Sequence, residues 1–177
     1  MISLKVQCPR WIRWIPPTSG YKLNTDGACS EGVMSGGGVV RGTGGGVVLA
    51  FSSSFGIGTA IQAEAYALLT GPFVCIQENV VIFEVMVDSL ILHDSLKGNC
   101  SIPWSIAYSV RKCLGILRHN IQVSHTCCEG NKVADFLASE ADHRSTNSCL
   151  LQLHSLNPEC VNFIRGDFLG LHYYRPP

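Results

Sequence analysis

The sequence predicts an α/β fold, in which helices cover both faces of a five-stranded mixed sheet to give three layers. Three strand-like segments come first, and the short glycine-rich segments between them are typical of antiparallel hairpins. Segments with helical spacing then alternate with short apolar runs. Strands that are joined through helices run parallel with right-handed crossovers, so the later strands are expected to be parallel.

The first three strands are predicted over residues 21–28, 37–41 and 46–54. The glycine-rich segments EGVMSGGG and GTGGG lie between them. Neither GxGxxG before a helix nor GxxxxGK[ST] occurs, so a phosphate-binding loop is not indicated. We therefore expect both segments to form turns.

The rest of the chain is predicted to alternate between helices and strands. In chain order we expect a helix over 60–79, a strand over 80–88, a short helix over 89–96, a helix over 103–120, a strand over 121–125, a helix over 132–143 after an Asn131 cap, and a short helix and tail in 157–177. Pro72 deletes a backbone donor inside the first helix, at a cost of about 3 kcal/mol. A kink or a break is expected there.

Three regions follow from this pattern: an N-terminal linker over residues 1–20, a folded domain over 21–145, and a short C-terminal helix and tail over 146–177. Trp11 and Trp14 precede a Pro-Pro-Thr-Ser-Gly run that favours extended or turned backbone. We expect the two indoles to lie against the edge of the domain, with base stacking as the alternative.

Composition restricts the class of protein. Hydrophobic residues make up 46% of the 177 residues and charged residues 15%, which argues for an ordered globular chain with a core of its own. Thirteen basic and thirteen acidic side chains cancel, which counts against strong nonspecific binding to a polyanion. The nine cysteines include no CxxC pair, so no zinc site is indicated. Without a recognisable signal peptide or membrane-length apolar run, we expect a soluble, intracellular monomer with reduced thiols, in the nucleus or the cytoplasm.

Four acidic residues occupy unusual positions in this predicted order. Asp26 lies within the first strand, and Glu64 lies among alanines in the first helix. Asp88 ends the fourth strand, where open α/β sheets hold their ligands, and Asp135 lies early in a helix. Each alone is more simply a solvated carboxylate or a helix cap. If the first and fourth strands are neighbours, however, all four can reach one edge of the sheet.

Convergence of these acids would require cations or protons. Two like charges ~5 Å apart at an effective dielectric constant of ~20 repel by roughly 3 kcal/mol, and the six pairs together by on the order of 20 kcal/mol. This exceeds the net stability of a small domain. Two divalent ions would balance four carboxylates, and two such ions ~4 Å apart are suited to phosphodiester hydrolysis.

The ordered motifs YKLNTDGA, AEAYALL, VDSL and NKVADFLA resemble the ribonuclease H-like family. The likeness is greatest to the plant branch found at the C-terminal end of non-LTR retrotransposon reverse transcriptases and in stand-alone plant proteins. The segment IRWIPPTSGYKLNTDGA resembles the linker that precedes that domain, and FIRGDFLGLHYYRP resembles its usual ending. The resemblance spans about residues 11–175.

This resemblance implies a two-magnesium endonuclease, with Mn²⁺ as a possible substitute, that cuts the RNA strand of RNA–DNA hybrids and leaves 5′-phosphate and 3′-hydroxyl ends. Asp26, Glu64, Asp88 and Asp135 match the four acids that bind metal and carry catalysis in the family. His125 matches a loop histidine that assists proton transfer. It also alternates with Ile121 and Val123, so an inward-packed strand residue is the other interpretation.

Some features depart from the family pattern. The segment CSEGVMSGGG replaces a longer polar loop, Pro72 interrupts the first helix, and Cys128 stands where relatives often have an arginine. The alternative function is therefore a retroelement-derived RNase H-like module that binds nucleic acid without useful catalysis. A degenerate product that folds poorly is a third possibility. Asn24, Ser89 and Asn131 flank the acids and are either donors to them or structural hydrogen bonders.

Overall fold

A computed structural model describes residues 10–117, 121–142, 149–151 and 156–175. Its strands are β1 (Arg10–Ile12), β2 (Tyr21–Ser30), β3 (Val33–Gly42), β4 (Val47–Ile57), β5 (Ile82–Val87), β6 (Gln122–His125), β7 (Cys149–Leu151) and β8 (Tyr173–Arg175). Its helices are α1 (Ala60–Gln77), α2 (Leu90–Lys97), α3 (Ala107–Ile116), α4 (Lys132–Asp142) and α5 (Pro158–Phe168). The predicted end of the third helix at 118–120, residue 143 and the boundary at 145–146 lie outside the described residues.

The main sheet has the strand order β6-β5-β2-β3-β4-β7. β2, β3 and β4 form an antiparallel meander, and β5 and β6 add in parallel beside β2. The predicted mixed sheet of five strands is therefore confirmed, and β7 extends it by a short antiparallel pairing with β4. β2 and β5 are neighbours, which is the arrangement that the acids require.

Helices cover both faces of the sheet, and each face has its own apolar cluster. On one face the sheet packs against α1, α2 and α3 through residues such as Leu23, Leu68, Val85 and Val110. On the other face α4 and α5 enclose a second cluster, which contains Val39, Ala50, Val133, Leu137, Leu156 and Cys160. Two separate cores on a shared sheet explain the three layers.

The glycine run 36–38 lies inside β3, so the prediction that it forms a turn is wrong. The turn is confined to Glu31 and Gly32, which have φ angles of 50° and 81°. Glycine is depleted in strands, and the run therefore indicated a loop. In the structure these glycines instead allow neighbouring side chains and helices to approach the strand closely. The predicted turn around Gly45 is present, with φ 76°.

Two of these close approaches flank Asp26. A Cβ at Gly27 would collide with the backbone of Ala63 and Glu64 in α1. A Cβ at Gly37, the strand partner of Asp26, would collide with the backbone of α4 at Ala138. One helix therefore lies directly on the backbone on each face of the sheet beside Asp26.

The first helix continues through Pro72 to Gln77, so of the predicted kink or break, the break does not occur. Proline at this position leaves the carbonyl of Leu68, four residues earlier, without its helical donor. The thiol of Cys113 in α3 lies 3.7 Å from that carbonyl oxygen and donates to it. A residue distant in sequence thus compensates for the lost backbone bond.

The segments at both ends of the described chain are paired with each other and lie on the domain. β1 pairs antiparallel with β8. Trp14 is only 3% exposed, whereas Trp11 is 68% exposed and contacts Tyr174 edge-on, with 5.4 Å between ring centroids. We call residues 10–20, α5 and β8 together the terminal clasp.

No helix within the described ranges has both the length and the apolar character that a membrane crossing requires. The free thiols among the described side chains are Cys29, Cys75, Cys100, Cys113, Cys127, Cys128 and Cys160. Burial raises the pKa values of Cys75 and Cys113 to about 12, which keeps both thiols protonated at neutral pH.

We predict that Gly37→Ala lowers the free energy of unfolding by about 1–3 kcal/mol, because the added methyl group must push α4 away from β3. Denaturant unfolding with circular dichroism measures this change. Gly44→Ala is the matched control: a Cβ at Gly44 meets nothing within 4 Å, so its change should stay within about 0.5 kcal/mol. Equal stabilities for the two variants would contradict the close approach.

Candidate active site

Asp26, Glu64 and Asp88 converge at one edge of the sheet. One carboxylate oxygen from each lies within 4.8 Å of the other two. β2 carries Asp26, and the parallel neighbour β5 ends one residue before Asp88. α1 supplies Glu64 by lying directly on Gly27. The structure thus brings together three of the four predicted acids.

Asp135 lies at the rim of this cluster. It is in the first turn of α4, and its side chain is exposed, whereas Asp26 is only 6% exposed. Asp135 is not among the three carboxylates that meet within 4.8 Å. Its charge and a hydrogen bond to Asp26 nevertheless contribute to the raised pKa of that residue, so the two side chains are near each other.

His125 is the last residue of β6 and pairs with Val87, the residue before Asp88. Its Nε2 lies 3.0 Å from the backbone carbonyl oxygen of Asp88 and donates to it in the tautomer that carries the proton there. The ring is half-buried and lies 6.0 Å from the ring of His93. This position agrees with the strand interpretation, and the catalytic role of His125 stays a prediction.

Burial and mutual repulsion make the ionised forms of these acids costly. Burial, followed by the charges of Asp88, Glu64 and Asp135, raises the pKa of Asp26 to about 10. Burial and the charge of Asp88 raise the pKa of Glu64 to about 8. Burial also raises the pKa of Asp88. In the absence of cations, protons therefore neutralise part of the cluster at neutral pH.

The cluster has the features of a cation site. Its donors are carboxylate oxygens, which hard divalent cations prefer. The buried Oδ1 of Asp88 has no hydrogen-bond partner among the described residues, and buried polar atoms normally have one. A bound cation would satisfy this oxygen and remove the repulsion. The residues present therefore fit a divalent metal ion.

Amide side chains connect the strand of Asp26 to the start of α4. Asn131 donates from Nδ2 to the carbonyl oxygen of Thr25 over 3.0 Å, and its Oδ1 accepts from Nδ2 of Asn24 over 3.0 Å. Asn131 also favours the ionised form of Asp88 and lowers its pKa. Ser89 instead caps α2 by accepting from the Leu92 amide. Sequence reasoning placed these residues beside the acids without assigning their partners.

Sequence reasoning did not identify Gly27 and Gly37 as residues that shape the site. The available signal was the small residue directly after Asp26 and the glycines in the segment that follows. Gly27 falls inside the predicted first strand, whereas the glycines of EGVMSGGG are predicted to form a turn, because glycine in strands is uncommon.

Comparisons with known proteins agree with this geometry. The family described as reverse transcriptase-like matches residues 24–141. An Arabidopsis thaliana protein with the provisional name ribonuclease H protein is 33% identical over 169 aligned positions. The match covers 91% of this chain and 26% of that protein. This chain therefore spans about a quarter of the length of that relative.

Solved structures with a similar fold include two RNase H1 proteins. RNase H1 from the halophilic archaeon Halobacterium salinarum NRC-1 has a TM-score of 0.62 and 22% identity, over 71% of this chain and 98% of that chain. LC11-RNase H1, solved in complex with an RNA/DNA hybrid, has a TM-score of 0.63 and 21% identity, over 71% of this chain and 98% of that chain.

The sheet order, the helices on both faces and the acids beside the central strands define an RNase H-like domain. This class agrees with the resemblance seen in the sequence motifs. The chain belongs to the reverse transcriptase-like family, whose match includes all four predicted acids.

We predict that, in EDTA, the melting temperature falls as the pH rises from 5.5 to 8.5. The raised pKa values mean that the folded state holds more protons than the unfolded state, so stability decreases with pH. The stabilisation is complete below the ordinary pKa values of 3.8 for Asp26 and 4.5 for Glu64, and is lost as the pH rises through about 10 and about 8. Differential scanning calorimetry measures the trend.

Asp26→Asn should reduce this pH dependence and stabilise the metal-free protein at pH 8 by on the order of 1–3 kcal/mol, because the amide is neutral at every pH. Glu78→Gln, at an exposed position after α1, is the control and should leave the slope unchanged. An Asp26→Asn protein with the slope of the unaltered chain would show that the carboxylates do not crowd one another.

Proposed function

We propose that this chain is a divalent-metal-dependent ribonuclease that hydrolyses the RNA strand of RNA–DNA hybrids. The observation that carries the proposal is the meeting of the Asp26, Glu64 and Asp88 oxygens within 4.8 Å. Burial at this edge of the sheet makes the ionised acids unfavourable on their own, so a cation is the natural partner of the cluster at neutral pH.

Asp26, Glu64 and Asp88 would hold the ions, and Asp135 at the rim would add a fourth negative charge. We propose Mg²⁺ as the metal and two ions as the number, because two divalent charges balance four carboxylates; Mn²⁺ is a possible substitute. Bound ions of this kind activate water and stabilise negative charge on a phosphate.

The side chains themselves contribute position and charge. Gly27 allows α1 to lie directly on the sheet, which brings Glu64 to Asp26 and Asp88. Gly37 likewise allows α4 to lie close to the sheet, and α4 carries Asp135 at the rim of the cluster. The His125 ring is fixed beside Asp88 by its contact with the Asp88 carbonyl. This location would allow His125 to exchange protons with a group held at the cluster, which is the role proposed for it.

Support for a hybrid substrate comes from the fold and the family. LC11-RNase H1, which was solved in complex with an RNA/DNA hybrid, has the same fold. An endonuclease of this class would recognise the 2′-hydroxyl groups of the RNA strand in the shallow minor groove. The substrate of this chain is proposed on that basis.

The proposal also covers the partners and location of the protein. A monomer that acts on nucleic acid without a membrane partner, inside the cell, is the arrangement we propose. The alternative is a binding module without catalysis. One argument for it, the interruption of the first helix by Pro72, no longer applies, because α1 continues through Pro72 and the Glu64 carboxylate lies in the cluster.

We predict that the purified chain cleaves the labelled RNA strand of a hybrid duplex in Mg²⁺ and not in EDTA. Glu64→Gln and Asp26→Asn should each lower the cleavage rate by at least about 100-fold, because each removes a ligand of the metal site. Gel electrophoresis of the labelled strand measures the rate. Glu78→Gln, at the opposite end of the same helix, is the matched control and should cleave normally.

Hybrid binding by Asp26→Asn, measured by fluorescence anisotropy in Ca²⁺, separates the two candidate functions. Cleavage by the unaltered chain, with loss of cleavage and retained binding in the variant, supports the enzyme. Binding by the unaltered chain without cleavage, at protein concentrations above that of the substrate, would reject the enzyme and favour the binding module.

A further inference from the structure

A continuous series of hydrogen bonds runs from the terminal clasp to the acidic cluster. Nε1 of Trp14 donates to Oδ1 of Asn24 over 3.1 Å, and Nδ2 of Asn24 donates to Oδ1 of Asn131 over 3.0 Å. Nδ2 of Asn131 then donates to the carbonyl oxygen of Thr25, the residue before Asp26. Trp14, Asn24 and Asn131 are all buried.

The first donor in this series is held firmly. The guanidinium of Arg41 stacks on the indole of Trp14, with its central carbon 3.7 Å from the ring centroid. Nη1 of Arg41 pairs with Oδ2 of Asp167 in α5 over 2.6 Å, and both side chains are buried. Lys22 holds Ile15, the residue after Trp14 in the chain, by donating from Nζ to its carbonyl oxygen over 2.7 Å.

The end of the series acts on the cluster from two directions. Asn131 holds the backbone of β2 immediately before Asp26. The same side chain also forms a hydrogen bond with Asp88. The orientation of Asn131 therefore affects two of the three converging acids.

An amide side chain can rotate by half a turn and exchange its donor and acceptor. Asn24 could offer Asn131 either its oxygen or its NH₂ group. The indole of Trp14 only donates, so it selects the orientation in which Asn24 presents its oxygen to Trp14 and its NH₂ to Asn131. The Asn131 NH₂ is then directed to the carbonyl oxygen of Thr25, which only accepts and favours the same orientation from the other end.

We propose that Trp14 is a positioning residue of the acidic site, which fixes the orientation of Asn24 and Asn131 and thereby the geometry of the metal-binding carboxylates; this inference rests on the proposed function. Trp14 lies outside residues 24–141, which match the family. In addition to its packing against the domain, the terminal clasp thus orients side chains next to the metal-binding carboxylates.

The test is the Mn²⁺ dissociation constant of the full chain, measured by isothermal titration calorimetry. Trp14→Phe keeps an aromatic ring beside Arg41 and removes the indole donor, together with part of the buried ring volume. We expect it to raise the dissociation constant roughly tenfold, as for other residues that orient metal ligands. Trp11→Phe is the matched control: Trp11 is 68% exposed and contacts Tyr174 edge-on, and its variant should bind Mn²⁺ like the unaltered chain.

A double-variant cycle distinguishes positioning from general loosening. Asn24→Leu breaks the same series at its next bond while Trp14 stays stacked on Arg41. If Trp14 acts through Asn24, the double variant should bind Mn²⁺ no more weakly than Asn24→Leu alone. If the increase in the Mn²⁺ dissociation constant of the double variant equals the product of the two single increases, the two residues act independently and the proposal is overturned. Cooperative unfolding in EDTA verifies the fold, and Asn24→Leu alone carries the affinity test if Trp14→Phe does not fold.

The outcomes separate this inference from the proposed function. Equal Mn²⁺ affinities for Trp14→Phe and the unaltered chain would overturn the role of Trp14 and leave the ribonuclease proposal intact. An unaltered chain that binds no Mn²⁺ would overturn both. Weakened Mn²⁺ binding by Trp14→Phe, together with cleavage that is restored by a higher Mn²⁺ concentration, is the result that supports the inference.

Discussion

The close packing of α1 and α4 against two glycines is the constraint on which the site depends. Gly27 and Gly37 lie on neighbouring strands, and at each of them a helix backbone occupies the space of the missing side chain. Asp26 lies between these contacts. Because both helices approach to the limit of van der Waals contact, Glu64 reaches Asp26 from one face of the sheet. The exposed Asp135 reaches the rim from the other. A wider spacing of the layers would separate these charges.

That packing creates electrostatic repulsion among Asp26, Glu64 and Asp88, which form the one group of side chains among the described residues that could hold a metal ion. Apolar clusters on both faces of the sheet supply the stability that offsets it. The free energy that keeps the acids together is therefore spread over the whole domain. A bound cation would offset part of this cost, because burial and mutual repulsion, which raise the pKa values of Asp26 and Glu64, make their ionised forms unfavourable.

Much of this arrangement could be predicted from the sequence because it depends on local order. The alternation of strands and helices, and an acid at the end of a parallel strand, fix the neighbourhood of Asp26 and Asp88. Features that depend on distant partners could not be predicted. Glycine is ambiguous between turn and close approach until the helix on it is known. The compensation of Pro72 comes from Cys113, 45 residues away from the accepting Leu68, and Arg41 meets Asp167 across 126 residues.

The pairing of β1 with β8 has a topological consequence. Arg10 lies opposite Arg175 in the antiparallel pair, so the two ends of the described fold lie side by side. In a longer polypeptide that contained this unit, the incoming and outgoing segments would connect to it at the same place on its surface. Both flanking chains would then stay together, and the unit could be transplanted into a surface loop of another protein without stretching its host.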